Sequence, residues 1–495
     1  MTLNELLAGV PQTAPPPPAL VSGLQYDSRL LRAGEVFFAF AGARVDGHRF
    51  IPEAVAKGAA AVVSERPAEA GFPRPWVQVP HPRQALALAA LNYYGHPDRR
   101  LRLTGVTGTN GKTTTVFVTD SVLRAAGLVT ARLGTIEHTV AGRRQAAVNT
   151  TPESLDLVRC FVELEQQGGA HATFEVSSHA LALGRVFGLA FHTVVFTNLS
   201  RDHLDFHGTM EHYAAAKRLL LEGAGGPLPR YGVIHRGDPW GRQWEALGGF
   251  EPLTFGLDNG AAITATRLAC DFDGIRFHAV TPAGRFPIRS TLLGKFNVLN
   301  ILAAIGVGLS YGLAPEVIAA GVEDCRAVPG RLERISAGQP FAVAVDYAHT
   351  DDALRNVIPA VRELLSDRTP PGRVITVFGC GGDRDRNKRP LMGEAAGSLS
   401  DLVVLTSDNP RSEDPLNIIN DIVIGLQRSG GRYHVEADRG QAIRKALMEA
   451  RPGDLVLIAG KGHETCQVLR DRTIPLDDRQ VARQVLQEMG YAAGA

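Results

Sequence analysis

Leu103-Thr-Gly-Val-Thr-Gly-Thr-Asn-Gly-Lys-Thr-Thr-Thr115 is the stretch that decides how the middle of this chain folds. It predicts a buried strand, then a glycine-rich turn, then a helix. Glycines without side chains let backbone N–H groups close on phosphate oxygens. Lys112 adds a positive charge for terminal phosphates, and Thr113 offers a hydroxyl to a phosphate-bound Mg²⁺ at the positive end of the helix. The stretch therefore predicts a nucleotide phosphate site.

The spacing of this turn departs from the common phosphate-loop pattern G-x-x-x-x-G-K-[ST]. Val106 stands where that pattern has its first glycine, which leaves the shorter Gly108-Thr-Asn-Gly-Lys-Thr113. The alternative is an ordinary Gly/Thr turn between a strand and a helix. The strand before, the Gly-Lys-Thr within and the helix after favour phosphate binding, because context decides such motifs.

Composition sets limits around this motif. A chain of 495 residues predicts about three domains, and 44% hydrophobic with 21% charged residues is typical of globular proteins. A net charge of +1 indicates no general attraction to nucleic acid. The five cysteines form no C-x-x-C pair, which favours reduced thiols over a zinc site or disulfides. We expect neither a signal peptide nor a membrane span, and a cytoplasmic location.

The order of strands and helices outward from the motif predicts an α/β fold in three domains. A small α/β domain covers residues 1–97, and a central domain with a mostly parallel, phosphate-loop ATPase-type sheet covers 98–329. A Rossmann-like α/β domain covers 330–495, with strands predicted at 342–345, 374–378, 402–405 and 455–459. Ligands of such sheets lie at the carboxyl ends of the strands. Polar residues after the central strands, such as Glu175, Asn198, Asp202 and His203, are thus expected near the phosphate loop.

Three of the polar residues in the central domain allow more than one interpretation. Glu175 and His203 are credible Mg²⁺ ligands, although Mg²⁺ prefers oxygen. The alternative is that Glu175 pairs with a basic residue and His203 packs in a polar turn. The nearby phosphate loop favours the metal, because a nucleoside triphosphate needs its Mg²⁺ held. Lys217 has the pattern of an exposed helix lysine, and spacing alone cannot assign it another role.

The last domain ends its strands in polar loops that could form a crevice. Asp346 could bind ribose hydroxyls and Arg331 a phosphate, or they could be a turn residue and a surface arginine. Arg384 and Arg411 place two guanidinium groups on neighbouring loops, and Glu464 adds a carboxylate on a third. Two cations and one anion suit an amino acid ligand, whereas the alternative is a surface salt-bridge cluster.

Taken together, the motifs resemble the Mur ligases of peptidoglycan synthesis over nearly the whole chain. The order of the motifs makes the resemblance specific, and Asp408-Asn-Pro-Arg411 discriminates most among them. The motifs are Thr107-Gly-Thr-Asn-Gly-Lys-Thr-Thr114, Glu175-Val-Ser-Ser-His179, Asn198-Leu-Ser-Arg-Asp-His-Leu-Asp-Phe-His-Gly208, Tyr213-Ala-Ala-Ala-Lys217, Gly294-Lys-Phe-Asn-Val-Leu-Asn300, Pro329-Gly-Arg331, Asp346-Tyr-Ala-His349, Gly379-Cys-Gly-Gly-Asp-Arg-Asp385 and Asp408-Asn-Pro-Arg411.

The resemblance implies an ATP-dependent ligase, with Mg²⁺, that adds meso-2,6-diaminopimelate to the D-glutamate γ-carboxylate of UDP-N-acetylmuramoyl-L-alanyl-D-glutamate. It implies an acyl phosphate intermediate and a last domain that closes over the site and brings the amino acid. The chain is expected to act as a monomer without nucleic-acid or membrane partners. Three rivals remain, namely the same ligase using L-lysine, a ligase similar to folylpolyglutamate synthase, and a nucleotide-binding scaffold without chemistry, which Lys112, Glu175, His203 and Lys217 together disfavour. Arg411 disfavours the first, because lysine has no second carboxylate.

The resemblance also assigns site residues one by one. ATP would be bound by Gly108, Thr109, Asn110, Gly111, Lys112, Thr113, Thr114, Asn297, Arg331 and Asp346. The UDP-linked dipeptide would be bound by Tyr26, Ser28, Arg44, Asn149, Thr150, Thr151, Ser177, Leu183 and Arg185. Diaminopimelate would be bound by Arg384, Asp408, Asn409, Pro410, Arg411, Gly460 and Glu464.

Two of the implied assignments need comment. Leu183 departs from the family pattern, which often has Gln there, and this affects the corresponding hydrogen bond. Lys217 would be carbamylated by CO₂, which turns a cation into an oxygen ligand for Mg²⁺. The catalytic set would then be Lys112, Glu175, His203 and Lys217. One Mg²⁺ would lie on Thr113 and Glu175, and a second on His203 and Lys217.

Overall fold

The computed structural model describes residues 1–42, 45–257, 260–365 and 372–491. The chain forms two compact units. The first comprises residues 1–199, 207–262 and 303–314, and the second comprises residues 200–206, 263–302 and 315–495.

The first unit begins with a small parallel sheet whose four strands follow chain order. Its strands are β1 (Gly23–Gln25), β2 (Glu35–Phe38), β3 (Ala61–Ser64) and β4 (Trp76–Gln78). Its helices are α1 (Leu3–Leu6), α2 (Ile51–Ala56) and α3 (Pro82–Tyr93). Every residue of β1 and β3 is buried, which suits a short parallel sheet covered on both faces. Thr2 and Glu5 form a capping box that starts α1.

A larger sheet of eight strands carries the phosphate loop. Its strands are β5 (Arg102–Thr107), β6 (Thr130–Leu133), β7 (Glu137–Val140), β8 (Arg143–Ala146), β9 (His171–Glu175), β10 (Phe191–Phe196), β11 (Tyr231–His235) and β12 (Glu251–Phe255). The helices along this part of the chain are α4 (Lys112–Ala125), α5 (Ser154–Gln166), α6 (Ser178–Ala182), α7 (Leu204–His207), α8 (Met210–Leu221) and α9 (Pro239–Trp244). Short 3₁₀ turns lie at Gly47–Phe50, Pro97–Arg99 and Gly223–Gly225.

The strand order β12-β11-β10-β5-β9-β6-β7-β8 places β5 between β9 and β10. These pairs are parallel, whereas β7 and β8 extend the far edge in antiparallel fashion. Thr107 pairs with Phe196 and Val106 with Glu175, so the carboxyl ends of three adjacent strands share one edge. The polar residues after each strand are therefore brought together there.

The second unit starts with an antiparallel sheet in the order β13-β14-β15. These strands are β13 (Thr264–Asp271), β14 (Gly274–Thr281) and β15 (Gly284–Ser290). Two helices follow, α10 (Phe296–Ser310) and α11 (Pro315–Asp324). The division between the two units falls inside α10.

A six-stranded sheet in the order β16-β17-β21-β18-β19-β20 forms the rest of the second unit. Its strands are β16 (Glu333–Arg334), β17 (Ala342–Asp346), β18 (Val374–Phe378), β19 (Leu402–Leu405), β20 (Tyr433–Val435) and β21 (Leu455–Ala459), and the ribbon β22 (Cys466–Val468) with β23 (Thr473–Pro475) follows. The helices are α12 (Asp351–Glu363), α13 (Lys388–Leu399), α14 (Pro415–Ser429), α15 (Arg439–Glu449) and α16 (Asp478–Glu488).

Helices cover both faces of this six-stranded sheet. One core contains Ile358, Met392 and Ile422 from α12, α13 and α14, and the other contains Ala446 and Leu486 from α15 and α16. Such double coverage explains why β18, β19 and β21 are buried along their whole length. Only β16 at the edge runs antiparallel.

The predicted α/β class is confirmed, and the strands predicted at 374–378, 402–405 and 455–459 have those bounds. The helix α4 begins at Lys112, because Gly111 before it has a left-handed backbone conformation that lies outside a right-handed helix. The domain boundaries at residues 97 and 329 stay predictions. Within the described ranges, we find no helix with the length and apolar character that a membrane crossing requires.

Candidate active site

The phosphate loop closes on itself between β5 and α4. Gly108 and Gly111 have positive φ values of 150° and 86°, which favour glycine at both positions. A Cβ atom at Gly108 would also collide with the Thr197 side chain. The Lys112 ammonium donates hydrogen bonds to the carbonyl oxygens of Gly108 at 2.8 Å and Thr109 at 2.9 Å. The loop thus holds its lysine over the turn where phosphate would lie.

The residues after β10 hold this loop from the side. The Thr109 N–H donates to the Asn198 carbonyl at 2.9 Å, and the Asn110 N–H donates to Asn198 Oδ1 at the same distance. Asn198 Nδ2 and Thr197 Oγ1 donate to the Asn110 carbonyl at 3.1 and 2.6 Å. Asn198 therefore fixes the loop conformation, a role that the motif by itself did not reveal.

Glu175 at the end of β9 is buried and surrounded by hydroxyl and amide donors. Thr113 Oγ1 and Thr135 Oγ1 each donate to Glu175 Oε2 at 3.1 Å, and the Thr135 N–H donates to Oε1 at 2.8 Å. A Cβ atom on Gly134 would strike this carboxylate. A carboxylate and a hydroxyl are the oxygen ligands that Mg²⁺ prefers, so Glu175 and Thr113 fit one Mg²⁺.

The other implied metal ligands do not form a complete set by themselves. Across the described ranges, no group of three or more His, Cys, Asp and Glu side chains is placed to hold a metal ion. His203 has a positive φ of 54°, and its Nε2 lies 3.5 Å from Asp202 Oδ2. Both belong to the segment 200–206 of the second unit, so their predicted convergence on the phosphate loop stays a prediction.

Lys217 is a buried lysine, not the exposed helix residue that its spacing suggests. Only 1% of it is exposed, and its ammonium donates to the Gly108 carbonyl at 2.8 Å. The same atom lies 4.5 Å from the centre of the Tyr213 ring, and the Tyr213 hydroxyl is 3.1 Å from Thr109 Oγ1. The helix α8 thus presents Lys217 directly to the phosphate loop, next to the carbonyl that Lys112 also contacts.

Residues assigned to the dipeptide end of the substrate surround the carboxyl end of β9. The Thr151 hydroxyl donates to the Glu175 carbonyl at 2.9 Å and accepts from the Ser177 N–H at 3.0 Å. Arg185 Nη1 donates to the Thr151 carbonyl at 2.9 Å. Thr150 Oγ1 lies 3.1 Å from Thr135 Oγ1. These contacts link the assigned residues to Glu175 and to Thr135, which is bonded to the Glu175 carboxylate.

The remaining residues assigned to the dipeptide are partly or fully exposed. Asn149 is exposed, and Leu183 is half-buried at the end of α6. The carboxylate of Glu153 forms ion pairs with two arginines, Arg83 at 2.6 Å and Arg185 at 3.0 Å. Sequence reasoning missed Arg83, which no motif marks, because only the fold brings it to Glu153.

Residues assigned to the UDP end lie in the small sheet. The Tyr26 hydroxyl donates to Asp156 at 2.5 Å, and burial next to that carboxylate raises the pKa of Tyr26. The Ser28 hydroxyl donates to Glu53 at 3.0 Å, and Lys57 donates to the Ser28 carbonyl at 2.8 Å. Arg44 lies outside the described residues.

The nucleotide residues assigned to the second unit are already bonded within it. Asn297 Nδ2 donates to the Leu293 carbonyl at 2.7 Å, and its Oδ1 accepts from Asn300 at 2.8 Å. Asp346 accepts the N–H groups of Leu332 and Ala348 at 2.7 and 2.8 Å. Burial raises the pKa of Asp346, although the nearby Arg331 charge opposes this. The guanidinium of Arg331 lies 4.6 Å from the centre of the Tyr347 ring.

The loops after β18 and β19 lock together around Arg411. Arg411 Nη1 donates to the Gly382 carbonyl at 2.7 Å, and the Gly382 N–H donates to the Asn409 carbonyl at 2.9 Å. Arg411 and Asp383 both have positive φ values, 52° and 53°, which are strained for residues other than glycine. The Ser412 hydroxyl donates to Asp383 at 2.6 Å. These contacts hold the Arg411 guanidinium in one orientation.

The loop after β21 completes this group of residues. Asn409 Nδ2 donates to Glu464 Oε2 at 2.8 Å, and a Cβ atom at Gly460 would lie 2.8 Å from Asp408 Oδ2. The structure therefore brings Asp408, Asn409, Arg411, Gly460 and Glu464 together. Pro410 is buried in the same loop, whereas Arg384 is exposed on the loop after β18.

Sequence reasoning missed two buried cations beside these loops. Lys461 is fully buried and pairs with Glu464 at 2.9 Å. Arg439 and Asp478 form an ion pair at 2.7 Å in which both side chains are fully buried. Arg439 also donates to the carbonyl oxygens of Ser407 at 3.3 Å and Ala459 at 2.9 Å. Sequence reasoning marked this loop through Gly460 and Glu464 but found no sign that Lys461 between them is buried.

Comparison with known proteins matches three parts of the chain to family models. The model for the Mur ligase family catalytic domain covers residues 20–94, the Mur ligase middle domain covers 106–308, and the Mur ligase glutamate ligase domain covers 330–462.

Individual relatives extend these matches. A UDP-N-acetylmuramoyl-L-alanyl-D-glutamate–2,6-diaminopimelate ligase from Solibacter usitatus is 58% identical over 495 residues, 99% of each chain. A solved structure of a ligase of the same name is 33% identical and covers 99% of this chain and 100% of its own, with a TM-score of 0.69. A solved folylpolyglutamate synthase from Mycobacterium tuberculosis, 18% identical, covers 77% of this chain and 93% of its own with a TM-score of 0.62, which shows a shared fold only.

Proposed function

Because the chain belongs to the Mur ligase family, we propose that it joins meso-2,6-diaminopimelate to the D-glutamate γ-carboxylate of UDP-N-acetylmuramoyl-L-alanyl-D-glutamate. Members of this family are ATP-dependent ligases that form amide bonds. The proposal rests above all on the loop Asp408-Asn-Pro-Arg411, in which Arg411 is bonded to the Gly382 carbonyl and Asn409 to the Glu464 carboxylate. A guanidinium and a carboxylate on two loops that are bonded through Asn409 suit the second carboxylate and ammonium of diaminopimelate.

The reaction has two chemical steps. The γ-carboxylate oxygen of the substrate attacks the γ-phosphorus of ATP, the bond to the β-phosphate oxygen breaks, and an acyl phosphate and ADP result. The neutral amine of diaminopimelate then attacks the acyl carbon, and the tetrahedral adduct releases a proton from its nitrogen to solvent and expels phosphate to leave the amide. Lys112, the loop N–H groups and the start of α4 stabilise the negative charge on the transferred phosphoryl group.

The residues assigned to Mg²⁺ would act beside this reaction. Thr113 and Glu175 would hold one ion, and His203 with a carbamylated Lys217 would hold a second. Bound Mg²⁺ neutralises phosphate charge and orients the oxygens of ATP. Glu175 fits because its buried carboxylate already meets the Thr113 hydroxyl at 3.1 Å.

The position of Lys217 supports its proposed carbamylation. The amine lies next to the carbonyl that Lys112 also contacts, so two ammonium groups compete for one oxygen. A carbamate removes the positive charge of Lys217 but keeps one N–H, which can retain the bond to Gly108. It also adds two oxygens, the ligand type that Mg²⁺ prefers.

The remaining assignments follow the family resemblance. We assign Asn297, Arg331 and Asp346 to the nucleotide, and the residues around Thr151 and Tyr26 to the UDP-linked dipeptide. We also propose that the chain acts as a monomer in the cytoplasm. Light scattering coupled to size-exclusion chromatography would test the oligomeric state, and a mass equal to two chains would contradict it.

A phosphate-release assay tests the reaction itself. The purified chain receives ATP, Mg²⁺ and the UDP-linked dipeptide together with meso-, LL- or DD-diaminopimelate, L-lysine or L-ornithine. We expect phosphate release with meso-diaminopimelate and a product whose mass equals dipeptide plus amino acid minus water. Phosphate release with L-lysine but with no diaminopimelate isomer would favour the ligase that uses L-lysine. Phosphate release in a parallel assay with a folate and L-glutamate, but in none of these mixtures, would favour the ligase similar to folylpolyglutamate synthase.

A further inference from the structure

The loop after β21 contains a lysine with no access to solvent. Lys461 is 0% exposed, although lysines are almost never fully buried unless they are paired. Its ammonium donates to Glu464 Oε2 at 2.9 Å and to Asn409 Oδ1 at 3.1 Å. Both partners belong to the residues that we assign to the incoming amino acid.

These contacts orient the carboxylate of Glu464. Asn409 Nδ2 donates to Glu464 Oε2 at 2.8 Å, so both side-chain hydrogen bonds to this carboxylate end on the same oxygen. Asn409 is itself held, because the Val468 N–H donates to its Oδ1 at 2.9 Å. The Glu464 side chain remains 30% exposed. Lys461 and Asn409 thus hold one oxygen of Glu464 and leave the other available to a ligand.

Lys461 also sets the charge of this group of residues. Asp408 and Glu464 carry negative charges there, and Lys461 and Arg411 carry positive ones. The neighbouring pair Arg439 and Asp478 cancels internally. Among the described residues Lys461 is the cation that pairs with Glu464, so its removal would leave that carboxylate without a bonded positive charge.

We propose that Lys461 determines the specificity of the ligase by cancelling the charge of Glu464. The proposal rests on the function proposed above. The far end of diaminopimelate carries an ammonium and a carboxylate and is neutral overall, whereas the far end of L-lysine is a bare cation. When Lys461 offsets the charge of Glu464, the site binds the neutral far end of diaminopimelate through paired contacts and attracts the cation of L-lysine only weakly. An unbalanced Glu464 would attract the cation of L-lysine.

Substitution of the buried lysine tests this idea. Lys461→Met keeps the length of the side chain and removes the charge. We expect the ratio of kcat/KM for L-lysine to that for meso-diaminopimelate to rise by at least about tenfold, because one unit charge acting over several ångströms near a protein surface contributes more than that. The KM for ATP is expected to stay unchanged. Lys461→Arg, which keeps the charge, is the matched control and should leave the ratio near its original value.

A second variant covers the case in which Lys461→Met does not fold, which thermal unfolding would reveal. Glu464→Gln changes a partly exposed side chain and makes the opposite imbalance, because it leaves the charge of Lys461 uncompensated. We expect it to lower use of L-lysine further relative to diaminopimelate. In the double variant Lys461→Met/Glu464→Gln, the ratio should return towards the original value although both substrates bind more weakly.

The outcomes separate this inference from the proposed function. If the unmodified chain fails to use diaminopimelate, the proposed function is wrong. If it uses diaminopimelate but Lys461→Met folds with the ratio unchanged, the specificity role is overturned. An unchanged or raised ratio in Glu464→Gln would overturn it equally.

Discussion

The phosphate loop of the first unit and the loops after β18, β19 and β21 of the second unit, called the amino-acid loops after the ligand that we propose for them, are built in opposite ways. The first is one continuous stretch whose shape is set by backbone groups, glycines and Lys112. The second comes from three loops that follow β18, β19 and β21, held by buried ion pairs. A site made from backbone tolerates few changes of shape, whereas a site made from side chains can be altered one charge at a time. We expect the first to govern the rate and the second to govern the choice of amino acid.

The largest effect is expected at Lys217, which extends the phosphate-loop site by one side chain. Lys217→Ala should lower phosphate release on the order of a thousandfold, because charge stabilisation at the transferred phosphoryl group is lost. Added formate or acetate should restore part of the activity by supplying carboxylate oxygens. The exposed Lys445 of α15 provides a control, and Lys445→Met should leave turnover unchanged. Normal turnover in Lys217→Ala would contradict the carbamate role.

The stability of the amino-acid loops should depend on the buried pair of Arg439 and Asp478. Arg439→Met leaves Asp478 buried without its partner, which typically costs about 3–5 kcal/mol of unfolding free energy. Denaturant unfolding would measure it. Arg444 on the same helix pairs with Glu488 at the surface, so Arg444→Met should cost less than about 1 kcal/mol. Equal losses in the two variants would show that burial of the pair does not matter.

A change at Arg411 should separate the two sites kinetically. Arg411→Ala removes the guanidinium proposed for the second carboxylate of diaminopimelate, and charge-assisted bonds of this kind contribute about 1.5–3 kcal/mol. We expect the KM for diaminopimelate to rise about tenfold or more, while the KM for ATP stays within about twofold. Initial-rate kinetics with each substrate varied in turn measure both constants. Equal increases of the two KM values would mean that the phosphate loop and the loop containing Arg411 are not functionally distinct.

The smallest effect concerns Glu413, which joins the loops after β18 and β19. It accepts from Arg389 at 2.7 Å and from the Asp383 N–H at 2.6 Å. Bonding to Arg389 lowers the pKa of Glu413 from 4.5 to about 2. A lowered pKa adds stability that is fully present above pH 4.5 and disappears as the pH falls towards 2.

Comparison of the unmodified chain with Glu413→Gln measures this contribution. The difference in unfolding free energy should be largest near neutral pH and shrink between pH 4.5 and 2. It should be modest, because 22% of the Glu413 side chain is exposed and solvent partly screens its pairing with Arg389. A difference that stays constant over this range would exclude titration of Glu413 as its source.

Much of the fold follows from local patterns. Apolar runs such as Val374–Phe378 and Leu455–Ala459 are long enough for buried strands and end in glycine or polar residues. Helix ends are read from short-range signals, such as the Thr209 and Asp438 side chains that cap α8 and α15. The division into two compact units had no such signal, since it depends on contacts between distant parts of the chain.

Residues that act through partners far away in sequence could not be identified in this way. Arg83 reaches Glu153 across 70 positions, and Arg439 reaches Asp478 across 39. Neither arginine stands in a motif. A buried charge needs an oppositely charged partner nearby in space, and no fixed spacing in the sequence marks that partner. Lys461 stood inside a noticed loop, but its pairing became visible only in three dimensions.

The sequence by itself determined that this chain has a phosphate loop, α/β domains and the ordered motifs of a Mur ligase. These features are local, because strands, turns and glycine-rich loops are set by residues close to one another in the chain. Only the tertiary structure decided that Lys217 is buried against the Gly108 carbonyl and that Lys461 balances Glu464. Burial and charge balance are properties of neighbours in space, and no window of sequence contains them.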